Sequence, residues 1–475
     1  MHPIEHVVVL MLENRSFDCL LGKLYPKSEQ FDGLEGTESN PWHKPDGTVE
    51  QIRVWNCGDV TEEAACLPNP EPGELFEDVN LQLFGLDGDH GGDRGAPPDM
   101  SGFVDNYARQ PWPWTPDDPS GIMHYFLPAQ VPIISRLALE FGVSDRWHAS
   151  TPSETWPNRY FAHCGTAGGH VNNSLSHFPY QWPRMMPTIF RRLGKHGYSW
   201  KIYFHDIPQA VSLFDLWAKI PTHFCQFERE FERHCRIGRL PNYSFIEPRY
   251  FPTLFSDKMP NDQHPPHNLL YGEQLIATVY NAVRISPLWS RTLLLIVYDE
   301  HGGAFDHVVP PEAVSPGGSY PDGFRFDRYG IRVPAVIVSP YVAPGSVIRP
   351  PLRSDGTESY PFDHTSIIAT LHKLFDIGPP MTPRVAAAPA LLPALTLERP
   401  ENDGPERLTI DPRRPSASEL KKFRRRQRNG LQRSLRNPLL FLPRAAVELT
   451  GAVRGVGARV VPETWRRPRP KRVVR

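Results

Sequence analysis

The chain has 475 residues, of which 40% are hydrophobic and 11% aromatic, and its formal net charge at pH 7 is −1. This composition favours a folded globular protein over a disordered chain, and the length allows one large domain or two to three ordinary ones. No apolar run approaches the roughly 18 residues needed to cross a bilayer, so no transmembrane segment is predicted. The opening residues, MHPIEH, carry no signal-sequence pattern, which predicts a cytoplasmic protein unless the start is mis-set or a leader has been removed.

The first predicted element is a strand that is buried on both faces. Residues 7–12, VVVLML, are all apolar, and a second run of the same kind lies at residues 293–298. Both runs stop on oxygen-bearing side chains, which are Glu13 and Asn14 after the first and Asp299 and Glu300 after the second. Because ligands of open α/β sheets bind beyond the carboxyl ends of the strands, we expect these four side chains to meet.

Three carboxylates and an amide at one point would repel one another without a cation. Oxygen ligands suit a hard divalent ion, so the pattern predicts a metal of the Mg, Ca or Mn class held by Glu13, Asn14, Asp299 and Glu300. The alternative is that these residues are solvated strand ends or helix N-caps, positions that Asp and Asn favour.

Residues 23–128 form a long stretch that is rich in proline, glycine and acids and has no sustained helical period. We expect this stretch to lie over the edge of the sheet and to shape the site. The 53 prolines of the chain scatter through such connections, which predicts ordered but irregular loops.

Helices and apolar strands alternate from there to about residue 377. The predicted helices cover residues 133–141 and 271–286 and the segments NRYFAHCGTAGG, MPTIFRRLGKH and FDHTSIIATLHKLFDI, the second ended by Gly197 and the last with Asp363 or Thr365 as its N-cap. The other predicted strands cover residues 143–147 and 199–204 and the segment IRVPAVIVSPYV. This alternation predicts a three-layer α/β domain around a mostly parallel sheet.

The segment TPSETWPNRYFAHCGTAGG, residues 151–169, places hydroxyl side chains where a turn enters a helix. A helix N-terminus carries unpaired N–H groups and a positive dipole, which favour an anion and activate a hydroxyl beside it. Thr155 is the candidate for such a functional hydroxyl. The alternatives are that Thr155 is only a helix cap, or that Ser153 is the hydroxyl concerned.

The six cysteines show no CxxC or metal-finger spacing. The pairs Cys57/Cys66 and Cys225/Cys235 are close enough in sequence to form disulfides in an oxidising compartment. The missing leader favours free thiols instead.

Residues 401–475 carry 20 lysines and arginines against 7 acidic residues. The arginines clustered at residues 419–438 could contact the phosphates of an anionic membrane, and the alternative is a solvated, largely flexible extension. Phe423 is the one aromatic residue among these arginines, so binding of nucleic acid by base stacking is disfavoured.

Five segments together resemble the phosphoesterase family that contains bacterial phospholipases C, related acid phosphatases and plant non-specific phospholipases C. They are IEHVVVLMLENRSFD, SDRWHASTPSETWPNRYF, YDEHGGAFDHVVPP, VPAVIVSPYV and FDHTSIIATLHKLF, in the family's order within residues 4–377. The resemblance implies an alkaline-phosphatase-like fold and metal-dependent hydrolysis of phosphoric esters, with a phospholipid as one possible substrate. It also implies a catalytic domain at residues 1–400, followed by the basic extension at residues 401–475.

The resemblance assigns roles to individual positions. Glu13, Asn14, Asp299 and Glu300 match the metal ligands, with Asn14 also directed at the phosphate, and Thr155 matches a nucleophile that forms a phospho-threonine intermediate. His264, in NDQHPP, resembles a histidine near the phosphate, and His205, in YFHD, is a weaker candidate for the same role. Glu74 stands where the family usually has a histidine in a PGH segment, which is a departure from the pattern.

Several assignments stay open. The enzyme could instead be a broad phosphomonoesterase, or the chain could be a non-catalytic anion-binding protein on the same fold. His301 and His307 are interpreted as partners that orient the carboxylates. Asp363 and His364 could form a second metal site, although Asp363 is interpreted mainly as a helix cap, and Arg159 could pair with an acid or clamp a phosphate.

Overall fold

The structure is a computed structural model that describes residues 3–86, 97–174, 186–252, 258–353, 356–411, 413–425, 428 and 432–433. Residues 434–475, which form most of the predicted basic extension, lie outside the described residues. Within the described part, no helix has the length and apolar character that crossing a membrane requires. All six cysteines are free in this structure.

The strands are β1 (His6–Leu12), β2 (Ser39–His43), β3 (Val49–Arg53), β4 (Gly142–Ser144), β5 (Trp200–Phe204), β6 (Phe224–Gln226), β7 (Tyr243–Glu247), β8 (Thr292–Tyr298), β9 (Ala335–Val338) and β10 (Ser346–Val347). The α-helices are α1 (Phe17–Leu21), α2 (Phe76–Phe84), α3 (Phe103–Ala108), α4 (Pro132–Glu140), α5 (Thr155–Cys164), α6 (Ile189–Lys195), α7 (Ile220–His223), α8 (Phe227–Arg236), α9 (Leu270–Arg284), α10 (Thr365–Leu374), α11 (Pro383–Ala387) and α12 (Ala417–Arg425).

The central sheet has eight strands in the order β10-β4-β9-β8-β1-β7-β5-β6. β1 is parallel to both of its neighbours, β7 and β8, whereas β9 runs antiparallel to β8 and β4. The predicted mostly parallel sheet is confirmed. Every residue of β1 and β8 is buried, as expected for strands that are covered on both faces.

The pairing of β1 with β8 sets the position of the strand ends. The pairs run from His6 beside Thr292 to Leu12 beside Tyr298. Because the two strands stop at the same level, the residues that follow them, Glu13 and Asp299, begin side by side.

Two groups of helices pack around the sheet. α9 packs against α4, α8 and β8, while α5 packs against α6 and α10, and α10 against α11. Glu273 links α9 to α4, because its Oε2 accepts the N–H of Ile133 at the start of α4 over 2.6 Å. The three-layer α/β class is therefore confirmed.

Two details differ from the sequence prediction. The strand expected at residues 143–147 ends at Ser144, because Trp147 and His148 leave the sheet and form isolated bridges with Phe362 and Arg332. The N-cap of α10 is His364 and not Asp363 or Thr365.

The long irregular stretch also contains more regular structure than expected. It holds the hairpin β2–β3 and the helices α2 and α3. These elements share a second hydrophobic cluster, which includes Leu34, Val79, Leu83, Phe103 and Ile122. Short elements with little periodicity of their own are stabilised here by mutual burial.

Candidate active site

Four polar residues lie together at the carboxyl ends of β1 and β8. Asn14 N donates to Asp299 Oδ1 over 3.2 Å, and Glu300 N donates to the same oxygen over 2.8 Å. The side chains of Glu13, Asn14, Asp299 and Glu300 are all fully buried. The structure therefore brings together the four predicted residues, which are not solvated strand ends.

The guanidinium of Arg159 lies between two of these carboxylates. Arg159 Nε donates to Asp299 Oδ2 over 2.9 Å, and its Nη2 donates to Glu13 Oε1. Gln209 Nε2 donates to the same Glu13 oxygen over 2.7 Å. Burial raises the pKa of Glu13 well above its usual value, and the Arg159 charge opposes that rise. Arg159 thus pairs with acids, and it supplies positive charge that sequence reasoning assigned to a metal.

The other two residues, Asn14 and Glu300, converge on Glu74. Asn14 Nδ2 donates to Glu74 Oε2 over 2.5 Å. Burial raises the pKa of Glu300 well above its usual value, and the charge of Glu74 adds to the rise. The predicted set of four is therefore divided between Arg159 and Glu74.

His264 lies beside Glu74 and is fully buried. Its Nε2 is 3.6 Å from Glu74 Oε2 and 3.8 Å from Glu71 Oε1. Burial disfavours a charged imidazole, but the neighbouring Glu74 and Glu71 carboxylates outweigh it and raise the pKa of His264 to about 10. Burial and the charge of Glu74 also raise the pKa of Glu154 to about 8.

Gly302 permits the close approach of the two strand ends. It has a φ of +63°, and a Cβ at this position would lie 2.3 Å from the backbone oxygen of Asn14. Asn14 itself has a φ of +49°, in the left-handed region that asparagine adopts more readily than most residues. A glycine after the acidic pair of YDEHGG is therefore a steric requirement.

Thr155 is the first residue of α5, and its side chain is fully buried. Its Oγ1 has no hydrogen-bond partner within the described residues, whereas Ser153 Oγ donates to the backbone oxygen of Val171. Thr155 and Arg159 are four residues apart, so they share one face of the helix. Because Arg159 contacts Glu13 and Asp299, Thr155 lies on the face of the helix that makes this contact.

The side chains present fit a divalent metal ion. Five of their oxygen atoms are buried without a hydrogen-bond partner among the described residues, namely Glu13 Oε2, Asn14 Oδ1, Glu74 Oε1, Thr155 Oγ1 and Glu300 Oε1. Buried polar atoms are rarely left unpartnered, so this set indicates a missing cation or donor. The donors are all oxygen, which is the chemistry of a hard cation. Glu71, Glu74 and His264 form a separate cluster with one potential ligand atom each within 4.8 Å of one another, and the atom from His264 is a nitrogen.

His205 follows β5 and has other contacts. Its Nδ1 is 2.9 Å from the backbone oxygen of Glu247, and its ring stacks on Phe227 with a centroid separation of 4.4 Å. Burial lowers the pKa of His205 to about 3. No hydrogen bond in the described part of the chain joins His205 to Glu13, Asn14, Asp299 or Glu300.

The two histidines of DEHGGAFDH, His301 and His307, contact different groups of residues. His301 Nδ1 is 3.3 Å from Glu300 Oε2, and its Nε2 is 2.7 Å from Gln82 Oε1, so His301 does hold one of the carboxylates. His307 instead lies 2.6 Å from Asp18 Oδ2 and 3.1 Å from Asp32 Oδ1. The interpretation is correct for His301 and wrong for His307, which belongs to a separate group of ion pairs around Arg332.

Asp363 and His364 are engaged elsewhere. Asp363 Oδ2 accepts from Ser150 Oγ over 2.8 Å and lies 3.3 Å from Arg384 Nη1, so Asp363 is an ion-pair partner and not a helix cap. His364 Nε2 is 2.6 Å from the backbone oxygen of Asp299, where it supports the strand end.

In the sequence, Glu74 is recognisable only as a departure from the family pattern, and Glu71 and Gln209 are not among the predicted site residues. The segment PEPGELFED offered a signal for the two glutamates, because acids concentrated in a proline-rich loop beside a predicted site are candidates for it. Gln209 has no distinguishing feature in the sequence, and only the fold places it against Glu13.

Sequence comparisons with known proteins agree on one family. Residues 4–378 match the sequence model of the Phosphoesterase family. Non-specific phospholipase C3 of Arabidopsis thaliana is 35% identical over 421 residues. The match covers 86% of this chain and 77% of the Arabidopsis protein. Phospholipase C A of Mycobacterium tuberculosis (strain ATCC 25618 / H37Rv) is 27% identical over 424 residues. The match covers 79% of this chain and 74% of the mycobacterial protein. The solved structure of a protein in the alkaline phosphatase superfamily from Vibrio parahaemolyticus aligns with a TM-score of 0.34 and 13% sequence identity. The alignment covers 54% of this chain and 64% of the Vibrio chain.

Proposed function

The chain belongs to the Phosphoesterase family and is a phosphoric ester hydrolase of the phospholipase C type, and from that premise we propose that it acts through Thr155 as nucleophile with a bound divalent metal. The observation that carries this proposal is the hydroxyl of Thr155. It is buried, it lacks a hydrogen-bond partner among the described residues, and it is on the same helix face as Arg159, which contacts Glu13 and Asp299. A hydroxyl that served only to cap the helix would accept a backbone N–H, as Thr188 Oγ1 does at the start of α6.

In the proposed reaction, Thr155 Oγ attacks the phosphorus atom and forms an O–P bond while the bond from phosphorus to the leaving alcohol breaks. The hydroxyl proton passes to a carboxylate of the site, and the leaving oxygen takes up a proton. Water then attacks the phospho-threonine ester, which restores the threonine hydroxyl and releases the phosphorylated product. Two displacements of this kind divide one difficult step into two easier ones.

The residues that would hold the metal are Glu13, Asn14, Asp299 and Glu300, which bring three unpartnered oxygen atoms to the site. When bound, a divalent ion neutralises charge on the phosphoryl oxygens and favours ionisation of the attacking hydroxyl. Arg159 stays paired with Glu13 and Asp299, so it orients these carboxylates and is not proposed as a phosphate clamp.

Three further residues complete the proposal. His264, which the adjacent Glu74 and Glu71 hold in its protonated form, donates the proton to the leaving oxygen. Asn14 has a second amide N–H beyond the one that bonds Glu74, and this N–H is proposed to hold a phosphoryl oxygen. His205 remains a secondary candidate, which would act only if its ring left the Glu247 carbonyl.

A phospholipid is the proposed substrate, because the relatives over most of the chain are named phospholipases C. The basic extension is proposed to contact the anionic surface on which such a substrate lies. Its 20 lysines and arginines against 7 acids give it the charge that peripheral binding requires.

The nucleophile is tested by substitution. We expect Thr155→Ala to abolish release of alcohol from phosphate diesters, and Thr155→Ser to retain part of the rate, because only the serine keeps a hydroxyl. Ser153→Ala should keep most of the rate, since the Ser153 hydroxyl already bonds Val171. Initial rates on a panel of lipid and soluble esters, with divalent ion added, provide the measurement. An active Thr155→Ala protein together with an inactive Ser153→Ala protein would refute the assignment.

A further inference from the structure

Glu74 places a carboxylate inside the proposed site. Its side chain is 7% exposed, its Oε2 accepts from Asn14, and its Oε1 is buried without a partner among the described residues. Asn14 is the residue proposed to hold a phosphoryl oxygen, so the Glu74 carboxylate is one hydrogen bond away from where a substrate phosphate would bind. Any charge on that phosphate is exposed to the charge of Glu74.

The side chains around Glu74 carry more negative than positive charge, and a divalent ion held at Glu13, Asp299 and Glu300 would be balanced, together with Arg159, by those three carboxylates. Arg159 is used by Glu13 and Asp299. The His264 ring lies 3.6 Å from Glu74 and 3.8 Å from Glu71, so one imidazolium faces two carboxylates, and both separations exceed hydrogen-bond length. An anion that enters therefore meets surplus negative charge in a poorly solvated place, where such repulsion is weakly screened.

The two classes of phosphate ester differ in the charge that they bring. A phosphomonoester loses a second proton with a pKa of about 6, so it carries close to two negative charges above neutral pH, whereas a diester carries one. This difference in charge acts against the monoester.

We propose that Glu74 is a specificity-determining residue that makes the site select phosphodiesters and reject doubly ionised phosphomonoesters. This inference rests on the proposed function and decides between its phospholipase-like and phosphatase-like forms. It assigns that choice to one residue, whose charge and contacts are independent of the nucleophile.

The test compares two soluble substrates that share one leaving group, 4-nitrophenyl phosphate and methyl 4-nitrophenyl phosphate. The ratio of kcat/KM for the monoester to that for the diester is measured at pH 8, on the full-length protein with divalent ion added. Glu74→Gln removes the charge and keeps the shape, and Glu77→Gln, three residues on and exposed, is the matched control. Using the ratio cancels any general loss of activity in the Glu74→Gln protein.

We expect Glu74→Gln to raise the ratio at least tenfold and Glu77→Gln to leave it unchanged. A ratio in Glu74→Gln equal to or below that of the wild type overturns the inference. If the wild-type protein cleaves neither ester with any divalent ion, the proposed function itself fails, so the two failures are distinguishable.

A second measurement uses only the wild-type protein, so it still tests selection by charge if Glu74→Gln fails to fold. Between pH 8 and pH 5 the monoester gains a proton while the diester does not. The wild-type ratio should therefore rise as the pH falls through about 6. A ratio that is constant over this range contradicts selection by charge.

Discussion

Arg159 shows how one residue can stabilise the ends of two strands. Its side chain is 1% exposed, and it lies between the fully buried carboxylates of Glu13 and Asp299. The Tyr250 ring lies 5.9 Å from the guanidinium, which adds a favourable contact. Taking three charged groups out of water is costly, so this arrangement is stable only while every member is present.

Removal of this cation should therefore destabilise the fold. Breaking a buried ion pair by deleting one partner leaves an uncompensated charge and typically costs about 3–5 kcal/mol. We expect Arg159→Gln to lower the free energy of unfolding by about this amount, measured by urea denaturation at pH 7. The control is Arg136→Gln, because Arg136 pairs with Glu140 on the surface with 58% of its side chain exposed, and such pairs contribute less than about 1 kcal/mol. Equal losses of unfolding free energy in the two variants would show that the buried ion pair contributes no more to stability than the surface pair.

At the scale of elements, the start of the C-terminal extension packs on the catalytic domain. Tyr271 OH donates to Glu419 of α12, and the Phe423 ring lies 5.3 Å from the ring of His267. Gln432 Nε2 donates to the backbone oxygen of Tyr250 over 2.7 Å. Earlier in the extension, Asn402 Nδ2 bonds the backbone oxygens of Glu140 and Val342. A truncation that leaves the domain intact should thus fall after residue 433 and not near residue 400.

Such a truncation separates membrane binding from hydrolysis. Residues 434–475 hold 10 lysines and arginines against 2 acids. A chain cut after residue 433 should keep its activity on a soluble ester and lose binding to anionic vesicles at low salt, because each basic residue near such a surface contributes about 1 kcal/mol. Vesicle sedimentation at two salt concentrations measures the loss, since raised salt should release the full-length chain as well. Equal binding by the two chains would assign no membrane contact to these residues.

At the scale of the whole molecule, the sequence predicts those features that depend on uninterrupted local patterns. The runs at residues 7–12 and 293–298 predict two buried strands, and their common register makes Glu13 and Asp299 neighbours. The contact of Asn14 with Glu74 instead spans 60 residues of mostly irregular chain, and that of Arg159 with Glu13 spans 146. No periodicity fixes the path of such a chain, so these partners follow only from the packed structure.

A bound metal would act on single residues and on the whole molecule, because it would compensate the strand-end charges and stabilise the whole fold. A ligand that binds the folded chain alone raises stability by mass action, and its removal lowers the melting temperature. The oxygen atoms that lack partners at this point would gain one in the same step.

Elemental analysis of the freshly purified full-length protein, before and after exhaustive chelation, tests the metal-assisted reaction most directly. The proposed function predicts a stoichiometric divalent ion of the Mg, Ca or Mn class in the fresh protein. It also predicts that chelation removes ester hydrolysis and lowers the melting temperature together, and that the same ion restores both. A metal-free preparation that hydrolyses phosphate esters at the full rate and melts at an unchanged temperature would contradict it.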